Sequence, residues 1–321
     1  MRNLIIAGIV LAVGAFLFTS WTIKRDVAES VDMAVMMMAP YAVVQYEGVS
    51  ATLTGELTVD GVRARVKGFD DEFYIDRIGI DTPSFLTLMK LGDMDNLGGP
   101  AEDILPKYFG MMIEGFRMPV DSDIGRKVYA ARLEELGIEG EVPPAARCTG
   151  KYGLSPASLA AMGYDDYEFS LSARFRQRDS GYAIEIDTSS EDMWQADAEL
   201  VLVGNMLTEF AKGSRYRPKM SELRIEYTDL SMNERMARHC KQLGLSDEEI
   251  HAAMLDSFQF MGRDNGIEFD EYVLDPFNEF LAGGKTLVVT AKPHEPVTLS
   301  QISLYKPEDV PALLQLSAEA Q

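Results

Sequence analysis

Cysteine and histidine are scarce in this chain, two and three respectively in 321 residues. Cys148 and Cys240 are the only thiols, so no Cys-x-x-Cys pair exists. His239, His251 and His294 never stand at the His-x-x-x-His spacing that sets two imidazoles on one helical face. His239 and Cys240 are neighbours, and on a helix they point about 100° apart, too far to share a small ion. Walker and dinucleotide glycine patterns are absent, and Ser155 in GLSPA lacks the second glycine of a nucleophile elbow. The stretch GRDNGIEFDE has the look of a calcium loop. Placing Gly266 on its required glycine, however, puts Met261 and Arg263 on ligand positions, so the match fails. Close carboxylates occur at Asp70-Asp71, Asp93 with Asp95, and Asp165-Asp166. In a chain with 51 acids such pairs arise by chance and read as solvated turns. No catalytic residue, cofactor site or metal site is assigned.

Positive charge is the other shortage. Lys and Arg number 30 against 51 Asp and Glu, for a net charge of −21. Arg2, Lys24 and Arg25 all flank the apolar N-terminal run, which leaves residues 26–321 with 27 bases against all 51 acids. A body so acidic repels nucleic-acid phosphates and anionic headgroups at long range. Nucleic acid is therefore excluded as a partner, and any lipid contact has to be apolar or locally basic. The 46% hydrophobic content is that of a folded chain and argues against disorder.

From Asn3 to Ile23 no residue is charged, and Leu4 to Phe18 reads LIIAGIVLAVGAFLF. As a helix, this run would span about 31 Å, close to the roughly 30 Å of bilayer hydrocarbon. Trp21 stands where an interfacial aromatic anchors a helix, and Lys24 and Arg25 mark the exit. After Phe18 the chain reads TSWTIKR, with no small-x-small cleavage site and no cysteine for lipid attachment. The expectation is an uncleaved single-pass anchor over residues 1–25, with the short leading tail in the cytoplasm and the long body exported.

Beyond the anchor, Val27, Val31, Val35 and Met38 recur at helical spacing until Pro40. Leu53, Leu57 and Val59 share one parity, and Val62, Ala64 and Val66 the other, so a tight turn or a β-bulge is expected at Asp60-Gly61. Further strands are expected at 73–80 and 111–118, and short helices at 83–91 and 124–136. Residues 92–106 read as a loop. The segment Gly140 to Gly153, with Pro143-Pro144, is the candidate boundary between a first half, 26–140, and a second, 141–321. Ser155-Pro156 opens a short helix. Tyr167, Phe169, Leu171, Ala173 and Phe175 alternate with polar neighbours, and DSG at 179–181 turns the chain into Tyr182, Ile184 and Ile186. Strands at 196–203 and 223–227 extend a meander. A helical insertion over 231–281 follows, with capping boxes read at Ser231 with Glu234 and at Ser246 with Glu249. Strands at 285–291 and 297–305 and a short helix at 311–316 close the chain. The fold class read from this order is α+β: a transmembrane helix, then a curved, mainly antiparallel sheet with helices packed on one face or end.

Cys148 and Cys240 are an even pair in a chain read as exported, which invites a disulfide. Two unrelated buried thiols are the other reading, since spacing alone carries no geometry.

The succession of a short tail, one apolar helix, YEGVSATLTGELTVDGVRARVKG and FYIDRIGIDTPSFLTLMKLG resembles the N-terminal portion of AsmA-like proteins of the Gram-negative envelope, over residues 1–92. That resemblance implies an inner-membrane anchor, a body in the periplasm and a curved sheet whose apolar inner face accepts lipid. The helices of 231–281 do not fit a long repetitive groove. The function expected is a non-enzymatic envelope protein that holds a hydrophobic ligand such as lipid or assists envelope assembly. A scaffold or partner-binding component of an inner-membrane complex is the alternative, with a hydrolase ranked behind both.

Overall fold

A computed structural model describes residues 27–52, 54–84, 87, 107–179, 181–204, 219–302 and 304–321. The N-terminal run with Leu4, Phe18, Trp21, Lys24 and Arg25, the position of Leu53, the loop at 92–106 and most of the helix expected at 83–91 lie outside the described residues. Along the described chain the elements are α1 (Val27–Met38), β1 (Ala42–Gln45), β2 (Gly48–Ala51), β3 (Glu56–Val66), β4 (Glu72–Asp81), β5 (Tyr108–Pro119), α2 (Asp123–Glu135), α3 (Pro144–Cys148), α4 (Pro156–Ala161), β6 (Asp166–Arg178), β7 (Gly181–Ser190), β8 (Trp194–Val203) and β9 (Lys219–Asp229). There follow α5 (Met232–Gln242), α6 (Asp247–Asp264), α7 (Glu271–Leu281), β10 (Thr286–Ala291), β11 (Val297–Thr298), α8 (Leu299–Ile302), α9 (Val310–Leu314) and β12 (Leu316–Ala320).

The strands form one 12-stranded antiparallel sheet in the order β1-β3-β4-β5-β6-β7-β8-β9-β10-β12, with β2 also on β3 and β11 also on β9. This corrects the expected fold class. The dominant structure is a single large sheet with helices rather than an α+β body behind a transmembrane helix. Among the described residues no helix is long and apolar enough to cross a membrane. The reason is composition: the longest, α6, carries Asp247, Glu248, Glu249, Asp256, Arg263 and Asp264 in 18 residues. The chain divides into two compact units of non-contiguous segments, 1–118 with 168–186 and 204–216, and 119–167 with 187–203 and 217–321. The segment 140–153 lies inside the second unit.

In the first unit the apolar parity of three adjacent strands changes at one row. Leu57 pairs with Ile80 and Val59 with Ile78, while beyond the change Val62 pairs with Ile75 and Ala64 with Phe73. The next strand follows suit, Ile113 opposite Ile78 and Phe116 opposite Ile75. The skipped row is Gly61, Asp76 and Gly115. No residue is inserted, because the register runs on from Asp60–Arg77 to Val62–Ile75. Gly61 and Gly115 sit at φ +62° and +61°, left-handed backbone that reverses the pleat and that a side chain resists. A Cβ at Gly115 would also lie 2.0 Å from the Asp76 carboxylate. The Gly115 amide donates to Ser170 Oγ at 3.0 Å, so a β6 side chain accepts it. The sequence expectation of a turn or bulge at Asp60-Gly61 is thus replaced by a pleat reversal shared across strands. Its effect is to keep Leu57, Val59, Val62, Ile75, Ile80, Ile113, Phe116 and Met118 buried together. The opposite face is charged and exposed, with Arg77 between Asp60 at 2.8 Å and Glu114 at 3.6 Å, and Arg117 on Asp76.

In the second unit the helices gather around the Cys148–Cys240 disulfide, whose two residues are fully buried. It joins α3 to α5 within a cluster containing Val120, Leu159, Met162, Tyr164, Met193, Met236 and Ile250. Of the two capping boxes read from sequence, Ser246 with Glu249 is present in both directions. At α5 the Ser231 hydroxyl instead donates to the Asp192 carbonyl, and Asp229 accepts the Asn233 amide at 3.0 Å. Partial burial nonetheless raises the Asp229 carboxyl above its ordinary value, against the lowering by the Asn233 and Met232 amides. The folded chain therefore holds this proton to higher pH than the unfolded chain, and stability falls as pH rises through that interval. Asp229→Asn is expected to match the wild type below about pH 3, to gain on it as pH climbs from about 4 through the raised folded-state value, and to keep a constant lead above that. Urea denaturation at a series of pH values checks this, and parallel curves would count against it.

Candidate functional site

The second unit presents three apolar cross-strand rows. Backbone pairing aligns Ala196, Tyr227, Leu287 and Ala320 in the first, and Ala198, Ile225, Val289 and Ala318 in the second. Leu200, Leu223, Ala291 and Leu316 form the third. Every position is apolar because strand alternation on four strands is in phase, so all twelve share one face. The intervening positions, among them Asp197, Glu199, Arg224, Glu226 and Glu319, belong to the other face.

Coverage of the rows is uneven. At one end α7 lies on β10 and β12. Phe280, buried, meets Tyr227 edge-on at 5.9 Å, and the line of rings continues from Phe280 to Phe277 at 6.0 Å, to Phe258 at 3.8 Å and on to Phe269 at 4.7 Å. Trp194 stacks on the other side of Tyr227 at 6.4 Å. Burial beneath these rings pushes the Tyr227 hydroxyl far above its ordinary value, with Asp229 adding to the effect. Tyr227 therefore stays neutral across the biological range. The middle row differs at its β10 position, where Val289 is half-buried and Leu287 and Ala291 of the flanking rows are buried; with Ala198, Ile225 and Ala318 also half-buried, the whole row leaves apolar surface in contact with water. Small residues stand at both ends of this row, Ala198 and Ala318, as they do in the first, Ala196 and Ala320.

The first unit has aromatic contacts of its own, in its core. Phe175 stacks on Tyr182 at 4.7 Å, Phe116 meets Phe73 and Phe169 at 5.7 and 4.7 Å, and Leu171, Ala173 and Ile184 beside them are half-buried, with Ile186 exposed.

Among the described residues the three histidines stand apart. His251 Nε2 meets Asn278 Oδ1 at 3.0 Å, and His294 contacts Gln315. His239 is buried on α5 with neither ring nitrogen bonded. Burial raises the Asp197 carboxyl against the lowering by the Gln195 amide, and Asp187 and Glu226 nearby raise it further, so this polar face is locally acidic. Among the described residues no three His, Cys, Asp or Glu side chains gather as a metal site.

Of the site residues named from sequence, the structure brings Cys148 and Cys240 together in a disulfide. Leu4, Phe18, Trp21, Lys24 and Arg25 lie outside the described residues. Sequence reasoning missed the row-forming residues of β12, because LSAEA ending the chain has good helix formers and was passed over. The period-2 alternation of Leu316, Ala318 and Ala320 was the available signal. A family model described as an uncharacterized protein matches residues 170–321, a span that includes all three apolar rows. No curated protein matches the chain.

Proposed function

We propose that this chain is a membrane-tethered envelope protein of the bacterial periplasm that binds a hydrophobic ligand, of the chemistry of a lipid acyl chain, rather than transforming one. The observation that carries this is the half-covered middle row, Ala198–Ile225–Val289–Ala318, on a sheet face that is apolar at every described row position. Alkyl chains need no directional partner, and such a face offers none; burial alone drives binding at about 0.8 kcal/mol per methylene. The buried disulfide supports an oxidising compartment. The uncharged run Asn3–Ile23 supports a bilayer tether, and the acidic body supports an apolar rather than a headgroup contact. These are the properties that the AsmA-like resemblance leads one to expect.

The test is a diazirine-bearing fatty acid crosslinked to the full chain, with the adducts mapped by mass spectrometry. Adducts are expected on β8, β9 and β10. Ala198→Trp places a large ring on the row and displaces roughly two methylenes, so labelling is expected to fall about tenfold. Labelling elsewhere, or labelling that Ala198→Trp leaves intact, would overturn the reading. Crosslinking of the chain to another protein through these rows would favour the scaffold alternative.

A further inference from the structure

Helix α1 has two unlike faces. Val31 and Ala34 are buried, and the helix packs on β1 and β2. At 100° per residue, Met33 and Met36 stand about 130° and about 170° from the middle of that buried stripe and Met37 about 90° from it, on its flank, and they are exposed to 50%, 72% and 51%. Ala39 and Pro40 continue the exposed surface, and Tyr41 is 71% exposed. A folded protein rarely leaves three adjacent methionines and a tyrosine in water without an occupant for them.

Two observations identify the occupant. The first is charge. In a chain with 51 acids, residues 33–46 contain no Asp, Glu, Lys or Arg, so the patch repels an anionic surface less than the body does, although Asp32, exposed, and Glu29 precede it within a turn on the same helix. The second is continuity. The uncharged run Asn3–Ile23 ends four residues before α1 begins, with Lys24 and Arg25 between them at the position of a headgroup-level exit. We infer that the Met33, Met36, Met37 and Tyr41 face of α1 lies in the interfacial layer of the same phospholipid bilayer that holds the N-terminal run, as a second, peripheral contact made by the folded body.

The inference rests on the membrane tether proposed above but not on the ligand. Were α1 to continue straight out of a perpendicular helix, Met36 would stand about 20 Å beyond Ile23 and clear of the interface. Docking therefore requires α1 to run along the membrane plane, its twelve residues covering about 18 Å, with the sheet above and the methionines below. Methionine suits that position because its flexible thioether adapts to mobile acyl chains, and tyrosine because its ring is apolar and its hydroxyl is wet. Met38, half-buried, lies on the line of Val31 and Ala34 and ends the packed face.

The experiment uses the full chain in phosphatidylcholine vesicles, with a nitroxide on Met36→Cys and, as a reference, on Arg63→Cys in the charged face of β3. Both native cysteines are locked in the buried disulfide, so the label has one thiol to find, and neither substitution removes a buried contact. The label at 36 is expected to collide with dissolved oxygen and be shielded from a polar nickel chelate, with the order reversed at 63. If the chain floats with the vesicles and the label at 36 is as open to chelate as the label at 63, the docking is overturned and the tether stands. If the chain does not float with the vesicles, both are overturned. Shielding at 36 from both reagents, with spin–spin broadening that grows with protein-to-lipid ratio, would assign the face to a second copy of the chain and overturn the bilayer as its occupant.

Discussion

Replacing Cys148 and Cys240 together by alanine is expected to lower the unfolding free energy by about 4–5 kcal/mol. The bridge closes a 92-residue separation, and without it the unfolded chain regains the freedom that closure removes. The native side of the balance changes less, since alanine leaves small apolar gaps where two sulfurs had been packed against Met236 and Ile250. Serine in place of alanine would cost more at 240, where no partner for a buried hydroxyl is seen, than at 148, where the Ala145 carbonyl lies 3.5 Å from the sulfur. Urea denaturation gives the free energy, and hydrogen exchange locates it, with the loss of protection expected first in α3 and α5. Because both cysteines are fully buried, mild reductant added to the native protein should leave its denaturation midpoint unchanged until the chain is opened. A double variant within about 1 kcal/mol of the wild type would show that the helical layer holds together without its crosslink.

That bridge also shows how far the sequence carries. An even cysteine count and an exported body were enough to suggest the pair, but only the fold sets Cys148 at the end of a short helix against α5. The long alternation from Tyr167 to Phe175 announced β6 plainly, since one apolar and one polar residue in turn leave no other periodicity. Asp60-Gly61 carried a true signal that was misassigned. The parity change is real, yet its cause is a pleat reversal that only makes sense with Asp76 and Gly115 beside it, and no single strand's sequence records its neighbours. The expected strand at 297–305 reduces to Val297–Thr298 before the chain turns helical at Leu299, while the true edge strand, Leu316–Ala320, was hidden by residues of high helix propensity. The apolar rows were similarly out of reach. Each strand's apolar parity is legible by itself, but the depth of the face depends on which small residue meets which large one across four strands, and that is a matter of register.

Phe116→Ala tests the other consequence of register, and it is expected to cost about 3–5 kcal/mol, the range for truncating a buried phenylalanine. Phe116 is 2% exposed and lies next to Gly115, so it is the first side chain delivered to the core after the pleat reverses. Its ring lies 5.7 Å from Phe73 on β4 and 4.7 Å from Phe169 on β6, and across the ladder its backbone faces Ile75. Truncation therefore empties a site walled by three strands, each held by continuous backbone pairing that prevents collapse into the gap. Phe116→Leu keeps most of the volume and should cost less than half as much. Ile186→Ala, at a position 37% exposed in the same unit, should cost under about 1 kcal/mol. If Phe116→Ala proved as mild as Ile186→Ala, the aromatic contact would not be what fixes these strands. The register would then have to be held by the left-handed glycines and the charged ladder on the opposite face. Those exposed ion pairs contribute too little individually to do so, which is why the large loss at Phe116 is the expected result.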